Sequence, residues 1–147
     1  MQKQIVCYLA APMSGLPAIE VAARSAAARL VAKTWGLAFY CPVKTENIQA
    51  TPQPIQASRA ELKKFWKRDK EMIDKSDVLI DIYADQKSDG VYWEMGYAKY
   101  RRKIPVVRVY RRAIPECSIS GLEADYLANC VSNACKWIKE NVKRRRA

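Results

Sequence analysis

The sequence predicts a three-layer α/β domain built on a parallel sheet of four or five strands, and three observations carry that expectation. Short apolar runs rich in β-formers alternate with longer segments of helical periodicity. Each run stops at turn or breaker chemistry, as Ile5–Ala11 does at Pro12-Met13-Ser14-Gly15. Strands separated by helices need crossover connections, which make neighbouring strands parallel and place helices on both faces of the sheet.

Taken in order, Ile5–Ala11 is the first buried strand. An alanine-rich helix follows from Ala18 to Thr34, its apolar face drawn from Ala18, Val21, Ala22, Ala28, Leu30 and Val31, and it stops at Gly36. Leu37–Cys41 is a second strand, ended by Pro42. The stretch from Thr45 to Ile55 has two prolines and no periodicity, and reads as a long loop of the kind that lines sites. Ser58-Arg59-Ala60-Glu61 is a capping box opening a helix that runs to about Lys75, with Leu62, Phe65, Trp66, Asp69, Met72 and Ile73 on one face. Asp77–Tyr83 is a third strand, Ser88–Arg102 a turn entering a helix, and Ile104–Tyr110 a fourth strand. A last helix is expected from Ser120 to about Val142, with Leu122, Tyr126, Leu127, Cys130, Val131, Ala134, Trp137 and Ile138 at 3-4 spacing. One domain over 1–142 is followed by a basic tail, 143–147.

Composition narrows the chemistry. The 147 residues include no histidine, which removes Ser-His-Asp and Cys-His catalysis and histidine metal ligation, and leaves carboxylates as the acid-base candidates. Five cysteines form no C-x-x-C pair and mostly sit in apolar runs, so they read as reduced packing thiols; no metal and no cofactor is expected. No apolar run reaches the length of a membrane span and the N-terminus lacks a signal-peptide pattern, so a cytoplasmic protein is expected. Twenty-six basic against fifteen acidic residues leave a net charge of +11, which favours an anionic partner: nucleotide, nucleic acid or acidic lipid.

Ligands of such sheets bind outside the carboxyl ends of the strands, so the loops at Ala11–Gly15, Ala84–Gly90 and Arg111–Ser120 matter most. The second of these feeds a helix that carries Glu94 in its opening turns, where free backbone N–H groups beside Ser88 and Gly90 suit an anion. Asp69 is the odd member of an apolar stripe, and an unpaired buried carboxylate is costly. Its alternatives are an ion pair with Lys67, Arg68 or Lys70, or a role in chemistry. Asp77 and Asp81 read as structural, and Trp35, Trp66, Trp93 and Trp137 as core or site positions.

Three segments, taken together, carry a resemblance. Tyr8-Leu9-Ala10-Ala11-Pro12-Met13-Ser14-Gly15, then Arg68-Asp69 ahead of Ser76-Asp77-Val78-Leu79-Ile80, then Ser88-Asp89-Gly90-Val91-Tyr92-Trp93-Glu94-Met95-Gly96-Tyr97-Ala98 with Lys103-Ile104-Pro105-Val106 occur in that order. The chain resembles the nucleoside 2-deoxyribosyltransferase superfamily, closest to its 2'-deoxynucleoside 5'-phosphate N-hydrolase and nucleotide N-glycosidase branch. The resemblance implies a flavodoxin-like fold, a nucleotide or nucleoside substrate and sites completed across a homodimer or larger homo-oligomer. By the same resemblance Glu94 matches the nucleophile at the anomeric carbon, Asp69 the carboxylate assisting the departing base, and Tyr8 the strand-end tyrosine that orients nucleophile and sugar. A carboxylate attacks an oxocarbenium-like centre without a histidine to deprotonate it.

Ser88 stands six positions before Glu94, where the nucleotide hydrolases carry a phosphate-binding serine and the nucleoside transferases an aspartate. Substrate binding is therefore expected at Ala11, Met13, Ser14, Gly15, Ser88 and Gly90, with Ser118 or Ser120 matching a serine that the neighbouring subunit contributes. The first loop departs from that branch in carrying Ser14 where its members carry an arginine. Three functions follow: an N-glycosidase of nucleoside 5'-monophosphates, a 2-deoxyribosyltransferase, and a non-catalytic module binding nucleotides or nucleic acid through its basic clusters.

Overall fold

The computed structural model describes residues 3–12, 15–42, 58–114 and 124–144. Strands β1 (Val6–Ala10), β2 (Ala38–Tyr40), β3 (Val78–Asp81), β4 (Val106–Val109) and β5 (Tyr126–Ala128) form one parallel sheet in the order β2-β1-β3-β4-β5. The helices are α1 (Ala18–Thr34), α2 (Arg59–Asp74), α3 (Asp89–Gly96), which continues as a π-helical turn over Tyr97–Arg101, and α4 (Val131–Asn141). This is the flavodoxin-like strand order, and its direction of growth reverses between β1 and β3.

Strand parity sorts the core into two layers. Cys7, Leu9, Val78, Ile80, Val107 and Val109 face α1 and α4, where Val21, Ala28, Ala32, Ala134, Cys135 and Ile138 close over them. Tyr8, Ala10, Leu79 and Val106 face the opposite way, against Ile73 of α2 and Val91, Met95 and Ala98 of α3 and its π turn. Both faces of the central strands are covered, which is why β1 and β3 read as apolar runs rather than alternating ones, Asp81 being the one charge within β3. Each fully buried aliphatic side chain contributes about 1.5–3 kcal/mol relative to exposure.

Register is fixed at the strand starts by two carboxylates acting alike. Asp77 N donates to Val6 O (2.7 Å) while Val6 N donates to Asp77 Oδ2 (2.8 Å). Asp125 N donates to Val106 O and Val106 N to Asp125 Oδ2, both at 2.8 Å. Asp77 thus has the structural place expected of it, at the amino end of the central strand β3.

Several local expectations are corrected. The last helix does not begin near Ser120: Tyr126, Leu127 and Ala128 pair with β4 as β5, and helix resumes only at Val131 behind the Cys130 N-cap. Tyr126 and Leu127 also fit a 3-4 spacing, so a short apolar run was ambiguous until strand pairing decided it; Leu122, with the rest of 115–123, lies outside the described residues. In α1 the buried line is Val21, Ser25, Ala28 and Ala32, leaving Leu30 67 % exposed and Ala22 exposed. Small side chains let α1 approach the sheet closely, and an alanine-rich helix has too little apolar contrast for periodicity to select the face. Leu62, at the N-terminal end of the α2 stripe, is exposed. The capping box is present, with Ser58 Oγ accepting from Glu61 N at 3.2 Å, and Gly36 ends α1 at φ +71°. The expected loop from Thr45 to Ile55 and the end of the basic tail lie outside the described residues.

Candidate active site

The α2/α3 side of the sheet holds three of the residues singled out in the sequence: Tyr8, Asp69 and Glu94. Tyr8 is fully buried in β1, and it packs in one apolar cluster with Val91, Met95 and Ala98, the positions that flank Glu94 on the inner face of α3. Glu94 itself is 8 % exposed. Asp69 lies one turn before Ile73 on the sheet-facing side of α2. Tyr8 Oη, Asp69 Oδ1 and Glu94 Oε2 are all shut off from solvent, on three elements that meet in this layer. A phenol and two carboxylates withdrawn from water in one apolar layer lie in a low-dielectric environment, where electrostatic interactions are stronger than in solvent.

The connection from β3 to α3 is pinned along its length, and this presents Ser88 and the α3 N-terminus in one geometry. Ile82 N donates to Ala10 O, Ala84 N to Val109 O, and Gln86 N to Tyr83 O. Tyr83 Oη donates to Glu20 Oε1 (2.9 Å), and the Arg24 guanidinium lies 3.5 Å from the Tyr83 ring centroid. Asp85 accepts from Arg111 N (2.6 Å) and Arg112 N (3.3 Å) in the turn after β4. Ser88 is the N-cap of α3, its Oγ accepting from Val91 N at 3.4 Å, which leaves the hydroxyl proton to donate outward.

Gly15 is exposed at φ +84°, and a Cβ there would meet Gln86 Nε2 at 2.9 Å, so the loop after β1 abuts the connection that carries Ser88. Gly90 is different: a Cβ would meet Ser88 Oγ at 3.8 Å, an ordinary contact, so crowding does not require glycine. Ala11 is buried in the α1/α4 layer, so only its backbone reaches this rim. Met13, Ser14, Ser118 and Ser120 lie outside the described residues.

A buried ion pair that the sequence reading missed stands behind the site. Arg108 Nε donates to Asp81 Oδ2 at 3.1 Å, with both side chains 1 % exposed. Arg108 Nη2 also donates to Ala84 O (3.5 Å), and Asp81 Oδ1 accepts from Tyr83 N (3.1 Å). The Arg108 guanidinium lies 5.7 Å from the Tyr92 ring and 5.4 Å from the Tyr110 ring. Burial pushes the Asp81 carboxyl up, to about 6, against the opposing pull of Arg108. The signal was available: Val106-Val107-Arg108-Val109 and Leu79-Ile80-Asp81-Ile82 each hold one charge inside an apolar strand.

The outer faces of α2 and α3 carry a cavity of about 610 Å³ lined by Trp66, Trp93, Tyr97 and Tyr100, with Lys70 and Arg101. Trp66 meets Trp93 and Tyr97 edge-on, each at 5.8 Å. Trp93 is 68 % exposed, so of the core or site position expected of it the core alternative is ruled out. Volume and chemistry disagree here, since Glu94 sits on the sheet-facing side of the same helix; burial and carboxylate placement, not volume, locate the candidate site. Cys7, Cys41 and Cys135 are buried free thiols and Cys130 an exposed one; burial pushes Cys7 far up and Cys135 up to about 11, so these two are packing groups. Cys117 lies outside the described residues. Among the described residues there is no cluster able to hold a metal ion, and no helix long and apolar enough to cross a membrane.

A profile of the nucleoside 2-deoxyribosyltransferase family matches residues 7–130, from β1 to the start of α4. The chain belongs to that family. Its members are enzymes that act on nucleosides or nucleotides. Among solved structures, a 2-deoxyribosyltransferase from Bacillus psychrosaccharolyticus superposes with a TM-score of 0.70 at 17% identity, covering 96% of this chain and 99% of that one. A CMP N-glycosidase from Clostridium botulinum gives 0.56 at 15% identity over 91% and 98% of the two chains. A conserved protein from Enterococcus faecalis V583 gives 0.58 at 19% identity over 94% and 99%. At these identities the likeness is one of fold. Among curated proteins no sequence matches the chain.

Proposed function

We propose that this member of the family is an N-glycosidase that cleaves the base–sugar bond of a (deoxy)nucleoside 5'-monophosphate through a covalent glycosyl-Glu94 intermediate. The observation that carries the reading is the buried Glu94 on a helix whose N-cap is Ser88, in the layer that also holds Tyr8 and Asp69. A carboxylate oxygen of Glu94 attacks C1' as the C1'–N bond breaks, and the electron pair leaves with the base. Asp69 gives the base a proton. Water then attacks C1' of the ester and returns a proton to Asp69, which frees Glu94 and releases the pentose 5-phosphate. Ser88 and the N–H groups of the first turn of α3 suit a phosphate, which an aspartate at position 88 would repel. The net charge of +11 steers an anionic substrate towards the site.

The test is base release, followed by chromatography, from each ribo- and deoxynucleoside 5'-monophosphate and each matching nucleoside, with and without a second free base. Release from monophosphates alone is expected, and Ser88→Ala should then raise KM about tenfold or more, the size of a charge-assisted hydrogen bond. Base exchange between nucleosides would replace this reading with the transferase. Silence across the panel would move it to a binding module.

The exposed Trp93, on the helix that bears Glu94, and Tyr100, on its π turn, support reading this face as the one that receives a second copy of the chain. Sedimentation should give a dimer that Trp93→Glu converts to monomer. A wild-type monomer that instead binds oligonucleotide with steep salt dependence would assign the face to an anionic strand.

A further inference from the structure

Arg108 is a full cation withdrawn from water in the middle of a four-residue apolar strand, and the fold alone does not call for it. Its side-chain hydrogen bonds and its contact with Tyr92 all fall on the route by which β3 becomes α3. Its Nε holds Asp81, the last residue of β3; its Nη2 holds the carbonyl of Ala84 in the following turn; and its guanidinium flanks the ring of Tyr92 in α3 itself. Asp81 in turn accepts from Tyr83 N, closing the turn from the other side. Tyr110, one strand step beyond, backs the guanidinium at 5.4 Å. One planar side chain therefore spans the start, the middle and the far end of the segment that delivers Glu94.

Tyr92 and Glu94 are two residues apart on α3, about 200° around its axis. Val91 and Met95 anchor the helix on the sheet, but apolar contacts are non-directional and leave its rotation and slide loosely defined. A guanidinium against Tyr92, itself held by a carboxylate, adds a constraint in the first half of α3, whereas the Tyr97 Oη–Asp74 Oδ1 hydrogen bond (2.6 Å) holds only its far end. Any roll of α3 that displaces Tyr92 swings Glu94 with it.

We propose that Arg108, held by Asp81, is a positioning residue that sets the orientation of α3 and hence the line of attack of Glu94. Both side chains are 1 % exposed, and the role assigned to the pair is exerted through α3 rather than on the substrate. This inference rests on the reading of Glu94 as the nucleophile.

The test compares the wild type with Arg108→Lys and with the neutral pair Asp81→Asn/Arg108→Gln. The neutral pair strands no charge, and its two amides can bond each other, but it lacks the reach to Ala84 and Tyr92. Base release should fall about tenfold or more in kcat with KM within about twofold, the signature of a misaligned nucleophile rather than a lost binding contact. Arg108→Lys keeps the charge and loses the planar fork, and should fall between the two. Hydrogen exchange of the 89–96 amides, which needs no substrate, should quicken in the neutral pair while the β1 amides hold. A neutral pair that folds with wild-type kcat, or with unchanged α3 exchange, overturns the proposal. If the wild type releases no base from any substrate, it is the functional reading that fails, and the exchange of α3 alone decides whether the clamp exists.

Discussion

Glu94→Gln is expected to lower base release by at least about a thousandfold while leaving the fold intact. The amide keeps the size of the carboxylate and its place between Val91 and Met95, so packing in the α3 layer is preserved. It lacks the charge and the nucleophilic lone pair that an anomeric centre requires, and no histidine exists in the chain to take over. The melting temperature should stay within a few degrees of wild type, because an uncharged amide is easier to bury than a carboxylate. Steady-state release from the preferred monophosphate, beside a thermal melt, checks both halves. Turnover surviving in Glu94→Gln would remove Glu94 from the nucleophile's role.

The largest stability effect is expected from Arg108→Met, at about 3–5 kcal/mol near pH 8. The change leaves Asp81 buried and ionised with no cation beside it. The cost depends on pH, and its sign follows from the raised pKa of Asp81. In the wild type burial holds that carboxyl at about 6, above its unfolded value, so its contribution favours the fold at low pH and is lost as pH rises through about 6. Without the pull of Arg108 the folded pKa rises further, and the loss extends to higher pH. At pH 5 Asp81 is protonated in both proteins, so the difference between them should shrink by about 1.4 kcal/mol for each unit by which the mutation raises that pKa. Urea unfolding of both proteins at pH 5 and pH 8 reads this directly. An equal cost at both values, or a cost below about 1 kcal/mol, would contradict the account of the pair.

Fold and site were legible in the sequence to different degrees, for physical reasons. The apolar run at β1, and the runs at β3 and β4 that each carry a single charge, announced buried parallel strands, since strands covered on both faces lack a regular polar alternation. Gly36 and the Ser58 capping box marked helix ends correctly, because caps and left-handed turns are local chemistry. β5 was not legible, because three residues cannot display a period of their own and only pairing with β4 settles their state. The buried face of α1 was misread for want of contrast among alanines.

At the candidate site, Ser88 and Glu94 stood out beside a helix N-terminus and Asp69 as a misfit in an apolar stripe, while the roles expected of them came from the family resemblance. What spacing cannot give is partnership across elements. Arg108 and Asp81 are 27 positions apart and meet only because β4 lies beside β3 in register, Asp81 opposite Arg108. The exposure of Trp93 escaped for a similar reason: helical phase places it opposite the sheet, but only the packed structure says which side of α3 the sheet occupies.

The measurement that bears most directly on the account is the mass of the enzyme trapped in mid-reaction. A nucleoside 5'-monophosphate with fluorine at C2', which destabilises the oxocarbenium-like state and slows turnover of the ester, would be mixed with enzyme, quenched with acid and digested. The account predicts one adduct with the mass of the fluorinated pentosyl phosphate, located on Glu94 and absent from Glu94→Gln. Base release with no adduct on Glu94, or an adduct on another residue, would contradict it.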